Sequence, residues 1–425
     1  MQVGVLVPDL RHPGGITEEA LFIARSLRRE LGAVVRIVSV ATSSDDSASR
    51  LLRRPRTWMR PLVGAYRHEE FSIEHVGAFA ADIELARYCQ RRALLERVSG
   101  CDVLHVISGT PAWGYAVRGF QGPLILHFAS FVRHERTSHV GGRRAPLDLW
   151  RRLMTVGVTA VEKAALRRAD LIIAMNDTRR REAEAIVGGT RPVMTVHTGI
   201  DTHHFRPESY QSDGYLLTVG RLSDPRKNLP LMLRAYAAAR KQSAAVPRLV
   251  LVGHHAPAPD SWRLIAELGL EACVEYRGAL SRADLAEAYR GASAFVLSSD
   301  EEGLGIVVLE AMASGLPIIA TSCIGPTETV TDGGEGFLVP VRSVARLAEA
   351  IVRVGSDAAL RRRLSQAARQ RAVREFSLEK AAARLGDAYR RAGIAHDAVA
   401  VAAPVGLLPD HPVTSRPGGD RVALT

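Results

Sequence analysis

The residues best suited to chemistry lie in one string, residues 298–317, which combines two acidic side chains with two glycines at fixed spacing. Gly303 and Gly305 lack a Cβ, so their backbone can approach a ligand and present N–H groups to it. Glu302 lies on the loop and Glu310 about two helical turns later, on much the same side. Each carboxylate can accept a pair of hydrogen bonds from vicinal hydroxyls, which sugars and riboses carry. The string therefore predicts a site for such a ligand at the start of a helix, whose positive end suits an anion.

A second string, residues 219–229, contains two cationic side chains, Arg221 and Lys227, on either side of a turn. Two cations in this arrangement match a diphosphate, and an arginine can bind two of its oxygens at once. By itself the string is more typical of a solvated surface loop, but beside the carboxylate pair it favours a phosphate site. It lacks the GxxxxGK[ST] pattern, so ATP hydrolysis on a P-loop is not indicated.

Both strings follow a predicted strand and precede a predicted helix, which is where open α/β sheets bind ligands. Short apolar runs predict such buried parallel strands along the whole chain. These runs are residues 3–7, 34–40, 103–107, 124–128, 171–174, 193–196, 215–219, 249–252, 294–297 and 317–320. The first helix is expected to begin with Thr17 as its N-cap and to end at Gly32. The predicted fold class is α/β, with two doubly wound Rossmann-like domains that face each other across a cleft.

Changes in composition divide the chain into segments. Residues 201–214 are polar and contain a proline, which predicts a hinge between the domains, and residues 45–68 are interpreted as a long excursion from the first sheet. The expected units are a first domain (1–205), a second domain (206–375), a helix that returns towards the first domain (376–393) and a disordered tail (394–425).

Length and composition exclude several classes of protein. The chain has 425 residues and is 47% hydrophobic, so it can form packed cores and is not disordered throughout. Its 4 cysteines are dispersed, which argues against a disulfide framework or a CxxC metal site. We find neither a targeting segment nor a run of about 18 apolar residues, and we expect a cytoplasmic protein. The net charge of +11 indicates an anionic partner or merely an arginine-rich composition.

The two strings together resemble the family-four glycosyltransferases of the GT-B architecture, whose hallmark is EGxGxxxLEAMAxGxPxxA preceded by GRxxxxKN. Other segments resemble that family too: Gly14 and Gly15, then residues 169–174, 198–201, 205–207, 325–328 and 375–378. The resemblance implies a retaining glycosyltransferase that uses a nucleotide-diphospho-sugar donor in glycan, glycolipid or glycoconjugate biosynthesis. It also implies that the first domain binds the acceptor and the second the donor.

The same resemblance implies roles for individual residues. The donor contacts it implies are Arg221 and Lys227 for the diphosphate, Glu310 for the ribose, and Glu302, Gly303, Leu304 and Gly305 for the transferred sugar. From the first domain, Gly15 would approach the phosphates or the acceptor. His127 would face the donor sugar across the cleft, although a buried strand-end histidine is the ordinary alternative. The predicted catalytic residues are Arg221, Lys227, Glu302 and His127.

The resemblance also implies how the bond is broken. Negative charge develops on the leaving diphosphate, where two cations and a helix N-terminus can stabilise it. The sequence has no DxD motif, so we expect the cations to act in place of a metal and no cofactor to be needed. Loss of Arg221 or Lys227 is expected to lower turnover by about a hundredfold or more.

Three departures from the family pattern occur outside the two main strings. Thr198 stands where an Asn is usual, Pro326 and Thr327 alter the loop before Glu328, and His254 lies within the segment where the family has GxG. The last departure lies near the expected nucleotide pocket, so the nucleobase is left open.

The acceptor and the surface partners also stay open. The acceptor is a hydroxyl of a sugar, a lipid-linked molecule or a small natural product, and the alternative is a non-catalytic sugar-nucleotide or membrane-binding protein. Residues 50–60 and 143–153 mix arginine with tryptophan and leucine, which is typical of a peripheral patch at the inner face of a membrane or of solvated loops. No nucleic-acid-binding motif is present, and we do not expect a nucleic-acid partner.

Overall fold

The computed structural model describes residues 1–11, 15–59, 62–89, 92–137, 145–208 and 214–395. Eight strands of these ranges form the first sheet. They are β1 (Gln2–Pro8), β2 (Val34–Val40), β3 (Val63–His68), β4 (Phe71–Val76), β5 (Val103–Ser108), β6 (Leu124–Phe128), β7 (Leu171–Ala174) and β8 (Val193–Thr195). Their order is β3-β4-β2-β1-β5-β6-β7-β8, and β3 runs antiparallel to β4 while the other neighbours are parallel. The helices of this part are α1 (Gly15–Leu31), α2 (Glu84–Arg87), α3 (Arg92–Val98), α4 (Val132–Thr137), α5 (Ala145–Arg168) and α6 (Asp177–Val187).

The second sheet has six strands within the described residues, all parallel. They are β9 (Tyr215–Val219), β10 (Leu249–Val252), β11 (Val274–Tyr276), β12 (Ala292–Leu297), β13 (Ile318–Thr321) and β14 (Gly336–Val339), in the order β11-β10-β9-β12-β13-β14. The remaining helices are α7 (Leu229–Gln242), α8 (Pro259–Glu267), α9 (Arg282–Arg290), α10 (Ile306–Ala313), α11 (Ile324–Thr329), α12 (Val344–Ser356), α13 (Ala358–Glu375) and α14 (Leu378–Arg391). Short 3-10 helices cover Pro55–Met59, Pro111–Val117 and Pro225–Lys227. The predicted α/β fold with two doubly wound sheets is confirmed.

Each sheet is covered by apolar side chains on both faces, which explains why its strands are nearly continuous apolar runs. On β1, Val5 belongs to the core beneath α1, whereas Leu6 belongs to the core on the opposite face. The second sheet is likewise packed on both faces, with Leu216 of β9 on one side and Leu217 on the other. This packing fixes the strands, and so it fixes the loops that follow their carboxyl ends.

The first domain differs from the prediction at the start of α1 and at the neighbouring strands β3 and β4, which no predicted run covers. The first helix begins at Gly15, so Thr17 is a buried residue inside its first turn and not the N-cap. Residues 45–68 are not only an excursion, because their last six residues form β3, the antiparallel edge strand. Apolar periodicity missed β3 since this edge strand is exposed or half-buried along its length.

The chain crosses between the domains twice at one place. The N–H of Ile200 donates to the Phe376 carbonyl (2.8 Å), and the N–H of Leu378 donates back to Ile200 (3.1 Å). Beyond this crossing α14 packs on α1, with Leu385 and Tyr389 buried in the apolar core of the first domain. The final helix thus ties the second domain to the first. The tail predicted to be disordered lies, from residue 396 onward, outside the described residues.

Candidate functional site

The two charged strings of the sequence meet at the carboxyl edge of the second sheet. Because β9 and β12 are neighbouring strands, the loops that follow them lie side by side. Lys227, after β9, donates a hydrogen bond to the carboxylate of Glu302, after β12. The amide of Asn228 also donates to Asp300 (2.9 Å), and the N–H of Asp300 donates to the Arg226 carbonyl (2.8 Å). The two strings therefore form a single site.

The cations of this site differ in how firmly they are held. The Lys227 side chain is 18% exposed and that of Glu302 is 10% exposed, and the Ser299 hydroxyl donates to the same Glu302 oxygen (2.7 Å). Arg221 is 61% exposed and pairs with Asp224 at 3.1 Å. Lys227 is thus a fixed cation at the floor of the site, whereas the Arg221 guanidinium can turn towards a ligand in solvent.

The loop of residues 302–305 leads directly into α10. Gly305 has a φ of 77°, in the left-handed region that favours glycine, and it precedes the first helical residue, Ile306. A Cβ added to Gly15 would lie 3.3 Å from Cδ1 of Ile306, so the start of α1 reaches the start of α10. The positive ends of two helices consequently meet where the loop that contains Glu302 ends, which suits a multiply charged anion.

Glu310 lies on α10 with the Tyr289 hydroxyl donating to its Oε2 at 2.8 Å. Burial raises the pKa of the Glu310 carboxyl to about 7, and the hydrogen bond from Tyr289 opposes that rise. The group therefore changes charge near neutral pH. In its ionised form it can accept two hydrogen bonds, as the prediction for a ribose requires.

The structure does not bring His127 to this site. Its side chain is fully buried, 3.8 Å from the Glu19 carboxylate of α1, and its ring stacks on His105 at 5.6 Å. Neither ring nitrogen has a hydrogen-bond partner among the described residues, and burial lowers the pKa of His127 to about 3. As placed, His127 presents no surface to a donor sugar and corresponds to the buried strand-end alternative.

Ala129, just beyond β6, approaches the 302–305 loop. Its Cβ lies 4.0 Å from the position that a Cβ on Gly303 would occupy. The Ala129 methyl group therefore faces the 302–305 loop across the cleft.

Two side chains that sequence reasoning did not assign connect the domains. Asn176, which follows β7, donates from Nδ2 to the carbonyl of Gly303 (2.8 Å). Glu328 of the second domain accepts from the N–H groups of Asp177 (2.7 Å) and Thr178 (3.0 Å) at the start of α6. An Asn followed by an Asp directly after a buried strand is an N-cap signal that marks this position in the sequence.

A charged glycine-loop site between two Rossmann-like domains is the arrangement of the GT-B glycosyltransferases, and the chain shares their fold. Residues 199–371 match the family model for glycosyl transferases group 1. D-inositol 3-phosphate glycosyltransferase of Streptomyces bingchenggensis (strain BCW-1) is 31% identical over 247 residues, which are 53% of this chain and 53% of that protein. The chain thus spans about half the length of this curated relative.

Solved structures match over nearly the whole chain. Sucrose-phosphate synthase from Thermosynechococcus elongatus has a TM-score of 0.70 and 22% identity, covering 92% of this chain and 99% of that chain. HepE of Anabaena in complex with UDP has a TM-score of 0.68 and 17% identity, covering 92% of this chain and 100% of that chain. These likenesses establish the fold. Within the described ranges, every helix is too short or too polar to cross a membrane.

Proposed function

We propose that the chain is a glycosyltransferase that moves a sugar from a nucleotide-diphospho-sugar to an acceptor hydroxyl with retention of anomeric configuration. The observation that carries the proposal is the Lys227–Glu302 pair beside the start of α10. Both residues lie in the segment that matches the group 1 family model. The pair places an ammonium group and a carboxylate side by side in the cleft. A nucleotide-sugar donor carries a phosphate that can bind the Lys227 ammonium and hydroxyls that can bind the Glu302 carboxylate.

The proposed chemistry uses charge at the leaving group. As the bond between the anomeric carbon and the phosphate oxygen breaks, negative charge accumulates on the diphosphate. Lys227 stabilises this charge from a fixed position, and Arg221 turns in from solvent to bind the same group. The starts of α1 and α10 add their positive ends. We propose that these groups act without a metal ion.

The two glutamates are assigned to binding. Glu302 accepts hydroxyls of the transferred sugar while it holds Lys227 in place, and the backbone of residues 303–305 lines the same ligand. Glu310, in its ionised form, accepts both hydroxyls of the ribose. His127 is left out of this proposal because it is fully buried.

A donor screen tests the proposal. The full chain is incubated with UDP-, GDP- and ADP-sugars, and nucleotide release is measured; UDP-sugars come first because the HepE structure contains UDP. We expect release from one nucleotide class, and its loss in Glu310→Gln. The anomeric configuration of the product is read by NMR. An absence of release from every donor, with acceptor extracts present, would contradict the proposal.

The metal-independence is tested separately. Excess chelator should leave the rate of nucleotide release unchanged within about twofold, because side chains and helix N-termini stabilise the charge on the diphosphate. A rate that vanishes in chelator and returns with manganese would contradict this part of the proposal alone.

We also propose that the first domain docks on an anionic lipid surface, at the inner face of a membrane. Large apolar side chains 39–94% exposed share one region of this domain. This lipid-facing patch comprises Leu52, Trp58, Met59, Phe79, Ile83, Trp150, Leu153 and Val156. Its two halves are continuous, because the N–H of Leu52 donates to Asp82 (3.1 Å) and Arg136 bonds both Glu84 and Thr155.

Charge complementarity favours lipid as the occupant. Arg53, Arg54, Arg56 and Arg152 are exposed beside these apolar groups, as on proteins that bind anionic headgroups. Co-sedimentation with vesicles containing phosphatidylglycerol should succeed at low salt and weaken at moderate salt. Trp58→Ala should reduce binding, whereas Trp262→Ala, an exposed tryptophan of the second domain, should not. Equal effects of the two variants, or no binding, would overturn this docking surface.

A further inference from the structure

The contact between Asn176 and Gly303 joins the first domain to the loop that is proposed to hold the transferred sugar. Asn176 is fully buried and belongs to the start of α6, whereas Gly303 lies between Glu302 and Leu304 in the second domain. The hydrogen bond from its Nδ2 to the Gly303 carbonyl is 2.8 Å long. The bond can form only when the two domains are closed on each other.

Both ends of the Asn176 amide are committed, so its orientation is determined. Its Oδ1 accepts the N–H of Arg179 (2.8 Å) as the N-cap of α6, which leaves Nδ2 as the donor. The Gly303 carbonyl can only accept, which agrees with this assignment. A residue that merely capped the helix would need the oxygen alone, as Ser or Asp would supply it. The amide nitrogen is the additional feature of this position.

The bond to Asn176 sets the direction of one peptide group. In a trans peptide the C=O and the following N–H point in opposite directions. With its carbonyl held by Asn176, the Gly303–Leu304 peptide turns the Leu304 N–H away from α6. In the described part of the chain this N–H donates to no other group. It is available for an oxygen of the donor, next to the carboxylate of Glu302.

We propose that Asn176 is a positioning residue that orients the Leu304 N–H towards the donor sugar when the domains close. The inference rests on the proposed function and adds to it a contribution of the first domain to the donor site. Glu328 supports the closed arrangement at the same helix start, because it accepts the N–H groups of Asp177 and Thr178 without touching Gly303. Closure and peptide orientation can therefore be separated by mutation.

The test compares Asn176→Ser with Glu328→Gln in the full chain. Asn176→Ser keeps a cap acceptor for α6 and removes the donor to Gly303. We expect it to lower kcat by about tenfold or more, while the affinity for the nucleoside diphosphate without sugar, measured by calorimetry, changes less than about twofold. The melting temperature should stay close to that of the wild type. Glu328→Gln should instead weaken the binding of donor and nucleoside diphosphate alike.

Each result of this comparison either supports or overturns the positioning role of Asn176. A kcat for Asn176→Ser near that of the wild type would overturn it, and so would an equal loss in nucleoside diphosphate binding, which would indicate a closure role alone. A wild-type chain that releases no nucleotide from any donor would overturn the proposed function and this inference together. An active wild type with an unaffected Asn176→Ser variant would overturn this inference only.

Discussion

Two of the acid–base pairs among the described residues, Lys227–Glu302 at the cleft and His127–Glu19 in the first domain, have opposite properties. Lys227 and Glu302 are hydrogen-bonded at a cleft, with 18% and 10% of their side chains exposed. His127 and Glu19 are 3.8 Å apart with no exposed surface. Burial lowers the pKa of His127 to about 3 and raises that of Glu19 to about 7. Similar residue types thus form a hydrogen-bonded pair at the cleft in one region and an enclosed pair, whose ionised forms are disfavoured by burial, in the other.

The largest effect on turnover is expected for the Lys227–Glu302 pair. Lys227→Ala should lower turnover by about a hundredfold or more, because the leaving diphosphate loses a fixed cation. Arg221→Ala should have an effect of the same order. Lys241→Ala, an exposed lysine at the end of α7, serves as the control and should retain full turnover. Steady-state rates at saturating donor check this, and near-normal turnover in a folded Lys227→Ala variant would contradict the assignment.

A smaller effect is expected from the hydrogen bond to Glu310. Glu310 must be ionised to accept both ribose hydroxyls, so kcat/KM should fall as the pH drops below about 7. Tyr289→Phe removes a hydrogen bond that favours the ionised form of Glu310. The acidic limb of the profile of kcat/KM against pH should therefore move to higher pH by as much as about one unit. Tyr236→Phe, which loses a hydroxyl bonded to the Pro247 carbonyl, should leave the limb in place. An acidic limb that moves to lower pH, or that moves equally in both variants, would contradict this role of Tyr289.

The His127–Glu19 pair is expected to contribute little to turnover. His127→Gln should keep turnover within about threefold of the wild type, because the imidazole has no path to a ligand in this arrangement. Turnover and thermal unfolding, measured on the same preparation, distinguish a catalytic role of His127 from a structural one. A loss of a hundredfold in turnover with an unchanged melting temperature would restore His127 as a catalytic group.

The smallest effect concerns stability. The pKa of Glu19 rises from 4.5 unfolded to about 7 folded because of burial. The resulting stabilisation is full below pH 4.5 and is lost as the pH rises towards 7, since only the folded state retains the proton in this range. The melting temperature of Glu19→Gln relative to the wild type should therefore rise by a few degrees across this range. A difference that does not depend on pH, measured by calorimetry, would show that Glu19 titrates normally.

The predicted features that the structure reproduces best are those in which one strand, one loop and one helix follow each other. The two charged strings, their strands and the glycine at the start of α10 are local features, and the structure joins them because β9 and β12 are neighbours. The prediction failed for the surroundings of His127, since the penultimate residue of a strand looks the same in sequence whether it points into a core or a cleft. It missed Asn176 because its partner, Gly303, is more than a hundred residues away.

The sequence by itself determined the α/β class, the two doubly wound sheets and the charged loops at the carboxyl ends of their strands. It could do so because apolar runs, turn glycines and charge spacing act over a few residues. Only the tertiary structure decided which side chains are reachable. Burial and contacts across the two domains separate Lys227, held at the cleft, from His127, enclosed in the first domain. They also bring Asn176 to the 302–305 loop, since a hydrogen bond between domains depends on how whole sheets pack and not on any local pattern.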